Sequence, residues 1–483
     1  MELAIRDGRL APSEPIEGDA ILDGGGAWVY PGFVDAHLHM GLGGDGMTQL
    51  DLSEVRSREE FEQLITREAS RLPAGQWLRA HGWNEERFPG DGLPTNAWLR
   101  GAGDRPVVAY RVDYHACVVN EAVLDQVNLD DCPAGGRVDR DAAGAPTGLM
   151  VEGAAWHLVN PVVPEATVEQ RRDAMRAADR YFASRGLVAV GSMEYARELT
   201  EALAPIRHEL GVRVLVTLLD RDWPLDCSIA DAFENDEMLS VIGFKAFIDG
   251  TLGSRSAAML SPYPDDPEGG DGMLIELAEQ GLLGEWIRFV HASGYSPSMH
   301  AIGDRALRLA LDVADTLPTE ARDRVRFEHA QTVHPEDLSR MEGRFASMQP
   351  LHRTLDAPVA EARLGPERLG HFYPLKSLEQ VGARLAFGSD WPIVDCDPFE
   401  GIRAAVTGCG VGTSEVLGID TALTGYTTEA RACLGLDGGT ISPGAPADLV
   451  LLDRDPRALD WSRDEAPTVL STIVGGRIVH DLR

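Results

Sequence analysis

A chain of 483 residues, 44% hydrophobic and 25% charged, is globular in composition and too long for one ordinary core. Its 77 acidic against 44 basic residues leave a net charge of −33, so phosphate backbones and anionic lipid surfaces are poor partners. Six scattered cysteines without a CxxC pair argue against both a disulfide scaffold and a thiolate zinc site. The start MELAIRDGRL lacks an apolar leader, and no run nears the ~18 apolar residues of a spanning helix, so a cytoplasmic protein is expected.

In chain order, residues 1–30 read as short strands with turns at Asp7-Gly8 and Gly24-Gly25-Gly26. They share this character with 436–483, where ADLVLLD (447–453), STIV and RIVH are β-like. Neither end buries a core alone, so the two are expected to form one composite β-sandwich. Residues 31–40 and 161–435 alternate apolar runs with helical patterns, the mark of βα units. The runs fall at 32–40, 187–193, 213–219, 242–248, 296–302, 325–331, 345–350 and 384–390. Eight such strands predict an α/β fold, a (β/α)8 TIM-like barrel.

Between the first and second strands, 41–160 is too long for a βα loop and is expected to be an inserted subdomain over the barrel mouth. Ser57-x-x-Glu60 opens a helix there, and Trp77, Trp83, Phe88 and Trp98 give it aromatic content. Thr167-x-x-Gln170 opens a second helix, with Met175, Ala178 and Phe182 on one face and Gly186 as its stop.

The chemistry concentrates at the strand ends. His37-Leu38-His39 closes the first strand, and side chains at i and i+2 share one face. His300 ends the fifth strand, His329 the sixth and Asp390 the eighth. All lie on the face where barrel active sites are built, and imidazoles with a carboxylate suit Zn²⁺, Mn²⁺ or Fe²⁺. Lys245 sits in the apolar run IGFKAFI of a chain whose only other lysine is Lys376. A buried lysine, unlike arginine, can lose its proton and react, forming either a Schiff base or a CO₂-derived carbamate. With histidines nearby, the carbamate is favoured.

PGFVDAHLHM, the strand-four lysine, HAIGDRA, FEHAQ, FGSDWP and ISPGAPADLVLLDRDP resemble the amidohydrolase superfamily. GFKAFIDGTLGSRSA and the large insertion resemble its amidohydrolase family 3 branch, which includes N-substituted formamide deformylases. The resemblance implies a metal-dependent hydrolase with two divalent ions, zinc or alternatively manganese or iron. It implies that His37 and His39 hold one metal and that carboxylated Lys245 bridges to a second held by His300 and His329. Asp390 then ligates the first metal and moves the proton of a metal-activated water.

Further candidates for substrate contact are Trp83, His115 (with Asp113), Asp249, Arg255, Asp304 (with Arg305) and Trp391. The expected reaction is hydrolysis of a non-peptide C–N bond in an N-substituted amide or formamide. Deaminase or cyclic-amide hydrolysis and lactonase or phosphotriesterase activity are the enzymatic alternatives, and a non-catalytic regulatory binding protein is the alternative from another class. The expected partner is a small molecule, with no nucleic acid or membrane; a homo-oligomer is compatible with the sequence.

Overall fold

The computed structural model of the chain describes residues 3–11, 22–87, 90–112, 114, 116–133, 136–221, 223–233, 236–268, 270–410 and 414–483. They divide into two compact units, 1–40 with 178–483, and 41–177.

The first unit is built on eight parallel strands: β1 Phe33–Leu38, β2 Leu187–Glu194, β3 Arg213–Leu218, β4 Leu239–Phe247, β5 Ser296–Ala301, β6 Arg326–His329, β7 Phe345–Met348 and β8 Arg384–Phe387. Each pairs with its neighbour in chain order, and every expected strand is present. The seam between β1 and β8 closes just beyond the strand ends. There the Asp390 amide donates to the His37 carbonyl at 2.6 Å and the His39 amide to the Trp391 carbonyl at 2.8 Å. Asp35 staples the same seam, accepting from the Ser389 hydroxyl at 2.6 Å and the His37 amide at 3.0 Å. Gly388 is required here, because a Cβ at that position would lie 2.5 Å from the His37 nitrogen. The fold is thus an α/β barrel closed by hydrogen bonds at its two chain-distant strands.

Helices cover the barrel by burying one stripe each. Helix α1, Val168–Ser184, starts at the expected capping box: the Gln170 amide donates to Thr167 Oγ1 at 3.3 Å, and Gln170 Oε1 accepts from the Thr167 amide at 2.9 Å. Met175, Ala178 and Phe182 on its apolar face are buried. It stops before Gly186, whose φ of +79° belongs to the left-handed region that glycine tolerates.

In the same unit, Trp28–Pro31 joins Leu449–Leu452, Val469–Val474 and Arg477–Asp481 in an antiparallel four-stranded sheet. Buried Asp448 ties this sheet to β3, accepting from Arg213 at 2.8 Å, while Arg431 lies 3.0 Å away.

The second unit carries a six-stranded mixed sheet covered by helix Arg58–Arg71, whose Ser57 side chain accepts from the Glu60 amide at 3.2 Å. Phe61, Ile65, Trp83 and Trp98 are buried in its core.

Candidate metal centre

The alternation of β1 places Asp35, His37 and His39 at i, i+2 and i+4, so Asp35 sits deepest and His39 nearest the mouth. His37 is fully buried. Its Nδ1 lies 2.7 Å from the Glu328 carboxylate, which fixes the proton there and leaves Nε2 as the free donor atom. That Nε2 lies 3.5 Å from Asp390 Oδ1 and 3.2 Å from Lys245 Nζ. His39 Nε2 is 3.1 Å from the same Asp390 oxygen.

On the other side, His329 Nδ1 meets Gln349 Oε1 at 2.8 Å, which leaves its Nε2 free as well. The His329 ring stands 5.1 Å from His37 and 4.5 Å from His300, centroid to centroid. Two groups bring their ligand atoms within 4.8 Å of one another: His37 with His39 and Asp390, and His329 with His352 and Asp390. His300 lies beside them, but its Nε2 faces the Gly250 carbonyl at 3.2 Å. His329 and Asp390 adopt φ of +70° and +59°, a left-handed backbone that is costly for residues other than glycine and that clusters at functional sites.

Electrostatics prepares these groups as ligands. Burial, reinforced by the nearby Lys245 charge, lowers His37 to about 4 and His300 to about 3. Burial also lowers His329 well below the usual range, so all three imidazoles are neutral at pH 7. Burial works against ionisation of Asp390 as well, yet its carboxyl is held well below 3.8, with the hydrogen bond from His39 among the groups that favour its charge. Lys245 is lowered chiefly by burial, which favours its uncharged amine. Neutral His37 and His329, each with its Nε2 free, beside an ionised carboxylate fit a divalent transition ion.

Four residues of this arrangement escape the sequence reading: Glu328, Arg326, Gln349 and His352. Glu328 accepts from Ser298 Oγ at 2.5 Å and pairs with Arg326 Nε at 2.8 Å, all inside the barrel. The signal was available, because Arg326-x-Glu328 puts two charges on one face of a short buried strand. His352 opens the helix after β7, with Nε2 at 3.9 Å from Asp390 Oδ2.

The remaining candidates have other partners, although Asp249 Oδ1 also lies 3.7 Å from His300 Nε2. Asp249 is a buried buttress, accepting from the Ala258, Ile302 and Gly303 amides. Arg255 pairs with Asp265, and Arg305 with Asp271. Asp304 accepts from the Leu260 amide at 2.7 Å and lines a separate cavity of about 510 Å³ with His334 and His371. Trp391 packs edge-on against Phe182 at 5.2 Å. Trp83 is a core residue of the second unit, its Nε1 donating to the Ala109 carbonyl at 2.8 Å, so it is not a free pocket wall. His115, Asp113 and Phe88 lie outside the described residues.

Residues 20–480 match the model of the amidohydrolase family. The chain belongs to that family. It is 32% identical to the Arabidopsis thaliana protein LONG AFTER FAR-RED 3, over 98% of this chain and 87% of that one. It is 25% identical to the N-substituted formamide deformylase of Arthrobacter pascens, over 94% of this chain and 89% of that one. Among solved structures, an uncharacterised metal-dependent hydrolase of Pyrococcus horikoshii superposes with a TM-score of 0.78 at 28% identity, covering 96% and 95% of the two chains. This amidohydrolase is therefore a metal-dependent hydrolase on an α/β barrel. No helix among its described residues is long and apolar enough to cross a membrane.

Proposed function

We propose that this amidohydrolase cleaves a non-peptide C–N bond in an N-substituted amide or formamide. The observation that carries the reading is the buried Lys245 amine 3.2 Å from His37 Nε2, inside a set of imidazoles that converge on Asp390. His37, His39 and Asp390 would hold one divalent ion, and His300 and His329 a second, zinc being the ion these donors suit best. Lys245, as its carbamate, would bridge the two. The carbamate forms when the uncharged amine nitrogen bonds to CO₂ and releases one proton.

When bound, the metal supplies Lewis-acid polarisation and acidifies water. The chain's own residues do the rest. Asp390, ionised at neutral pH, accepts a proton from the attacking water and returns it to the departing nitrogen, which leaves as an amine. Glu328 keeps the His37 proton on Nδ1, so Nε2 stays available throughout. The similarity to an N-substituted formamide deformylase over 94% of the chain supports the substrate class.

The test is turnover by zinc- and manganese-loaded protein on a panel of N-alkyl formamides, acylated amines, aminopyrimidines and lactones. Amine release from formamides or acylated amines, abolished by chelation, is the expected result. Turnover confined to lactones or to ring deamination overturns the reading.

A further inference from the structure

Tyr373 is the buried polar group that this chemistry leaves unused. Its ring is fully buried, and among the described residues its hydroxyl has no hydrogen-bond partner. The backbone holds it beside the metal centre. Segment 371–373 pairs antiparallel with 331–333, the residues that directly follow His329 and Ala330. The Tyr373 amide donates to the Gln331 carbonyl at 2.7 Å, the Val333 amide donates to the His371 carbonyl at 3.0 Å, and Thr332 bridges to Phe372. Phe372 stands edge-on to the phenol at 4.8 Å, which restricts the ring further. Tyr373 itself has φ of +45°, an unfavourable conformation for an aromatic residue.

The surroundings of the hydroxyl identify its side of the site. Besides burial, the charges that act on it are Asp356, Asp390 and Arg353. Asp356 accepts from Gln331 Nε2 at 2.6 Å and interacts with His352, whose Nε2 is 3.9 Å from Asp390 Oδ2. The backbone pairing with Gln331, and the bond from Gln331 to Asp356, put Tyr373 on the side of the cluster that carries His329 and His352. Burial, followed by the two carboxylates, pushes its titration well above 10, so the oxygen keeps its proton and remains a donor.

A buried, unpaired hydroxyl on a strained backbone weakens the fold, and such groups persist where function uses them. The group is a rigid O–H donor beside a centre that handles carbonyl compounds. We infer that Tyr373 is a substrate-contacting residue whose hydroxyl donates a hydrogen bond to the carbonyl oxygen of the amide, a bond that strengthens as that oxygen gains negative charge. The inference rests on the proposed hydrolysis and adds a selectivity. Substrates lacking an acceptor at that oxygen position gain nothing from Tyr373.

Tyr373→Phe tests it, since the variant removes one oxygen and preserves the ring. A structural hydroxyl and a substrate-contacting one predict opposite stability changes. If the hydroxyl waits for substrate, the metal-free variant melts at the same temperature as wild type or higher, and zinc stoichiometry is unchanged. On an N-alkyl formamide that wild type hydrolyses, kcat falls ~10²-fold while KM stays within about threefold, the pattern of an interaction made mainly in the transition state. A lower melting temperature of the metal-free variant overturns the inference, because the hydroxyl then has a partner within the fold. Turnover within about threefold of wild type overturns it equally. Should wild type hydrolyse none of the amides, the proposed reaction fails separately. Acetohydroxamate, which presents a carbonyl oxygen to the zinc-loaded protein, then decides on Tyr373: ~10-fold weaker binding by the variant supports the contact, and equal binding refutes it.

Discussion

Replacing Glu328 by glutamine separates two roles that one carboxylate performs. Its neighbours are His37 Nδ1 at 2.7 Å on one oxygen and, on the other, the donating Ser298 Oγ at 2.5 Å and the Arg326 guanidinium in an ion pair at 2.8 Å. Glutamine has one oxygen and must turn its NH₂ toward at least one of them. Ser298 and Arg326 favour the oxygen on their side, so the amide nitrogen faces His37 Nδ1. The imidazole then carries its proton on Nε2, the atom aimed at Asp390, and no longer offers a lone pair to the proposed metal. Loss of such an orienting partner costs ~10–100-fold in metal affinity, or about 1.4–2.8 kcal/mol. At the same time Arg326, only 1% exposed, keeps its bond to the Ala36 carbonyl but loses its counter-charge. An uncompensated buried charge costs about 3–5 kcal/mol of stability.

Urea denaturation of chelated protein measures the second quantity, and zinc titration against a competing chelator measures the first. The double variant Arg326→Met with Glu328→Gln distinguishes them, because removing both charges restores much of the stability and leaves zinc binding weak. If Glu328→Gln alone binds zinc as tightly as wild type, the carboxylate does not set the His37 tautomer and the reasoning is refuted.

Lys245→Arg keeps a long cation but cannot form a carbamate, so both metal content and kcat/KM should fall, the latter by at least ~10³, with full metal content and normal turnover as the opposing result. Burial raises the thiols of Cys117 and Cys396 and pushes Cys433 up to about 12, so near pH 8 all three remain protonated. An aromatic disulfide reagent should leave them untouched in the folded protein and label them after denaturation; rapid labelling of any one in the native state contradicts their burial. A net charge of −33 repels itself most at low ionic strength, where the Debye length is ~30 Å at 0.01 M, so the melting temperature should rise on addition of molar KCl. A flat response would show that repulsion between these charges does not limit the stability of the fold.

The barrel was legible because its strands are short apolar runs bounded by caps and turns, which are local signals. His37, His39, His300, His329 and Asp390 were legible for a related reason: each ends such a run. Glu328 stood next to His329 in the same motif and was passed over. Its meaning lies in a contact with His37, 291 positions away, and no local pattern carries that. Gln349 and His352 follow β7 as polar residues of types common on loops, and only closure of the barrel brings them to the imidazoles. Trp83 and Arg255 show the converse. A tryptophan or an arginine near a loop does not disclose its partner, and here the partners are the Ala109 carbonyl and Asp265.

The seam between β1 and β8 has a consequence for the order of events during synthesis. Asp35 and Ser389 meet across 354 positions of chain, and the same junction brings His39 and Asp390 to 3.1 Å. A ribosome must therefore release nearly the whole polypeptide before these proposed ligands can assemble. Early fragments carry the HLH pair without the carboxylate that completes its site. Metal capture consequently comes late, and a bound ion reinforces the junction between the first and last barrel strands. Proteins truncated before residue 390 should then be cleared as metal-free species, since nothing holds their first strand in register with the last.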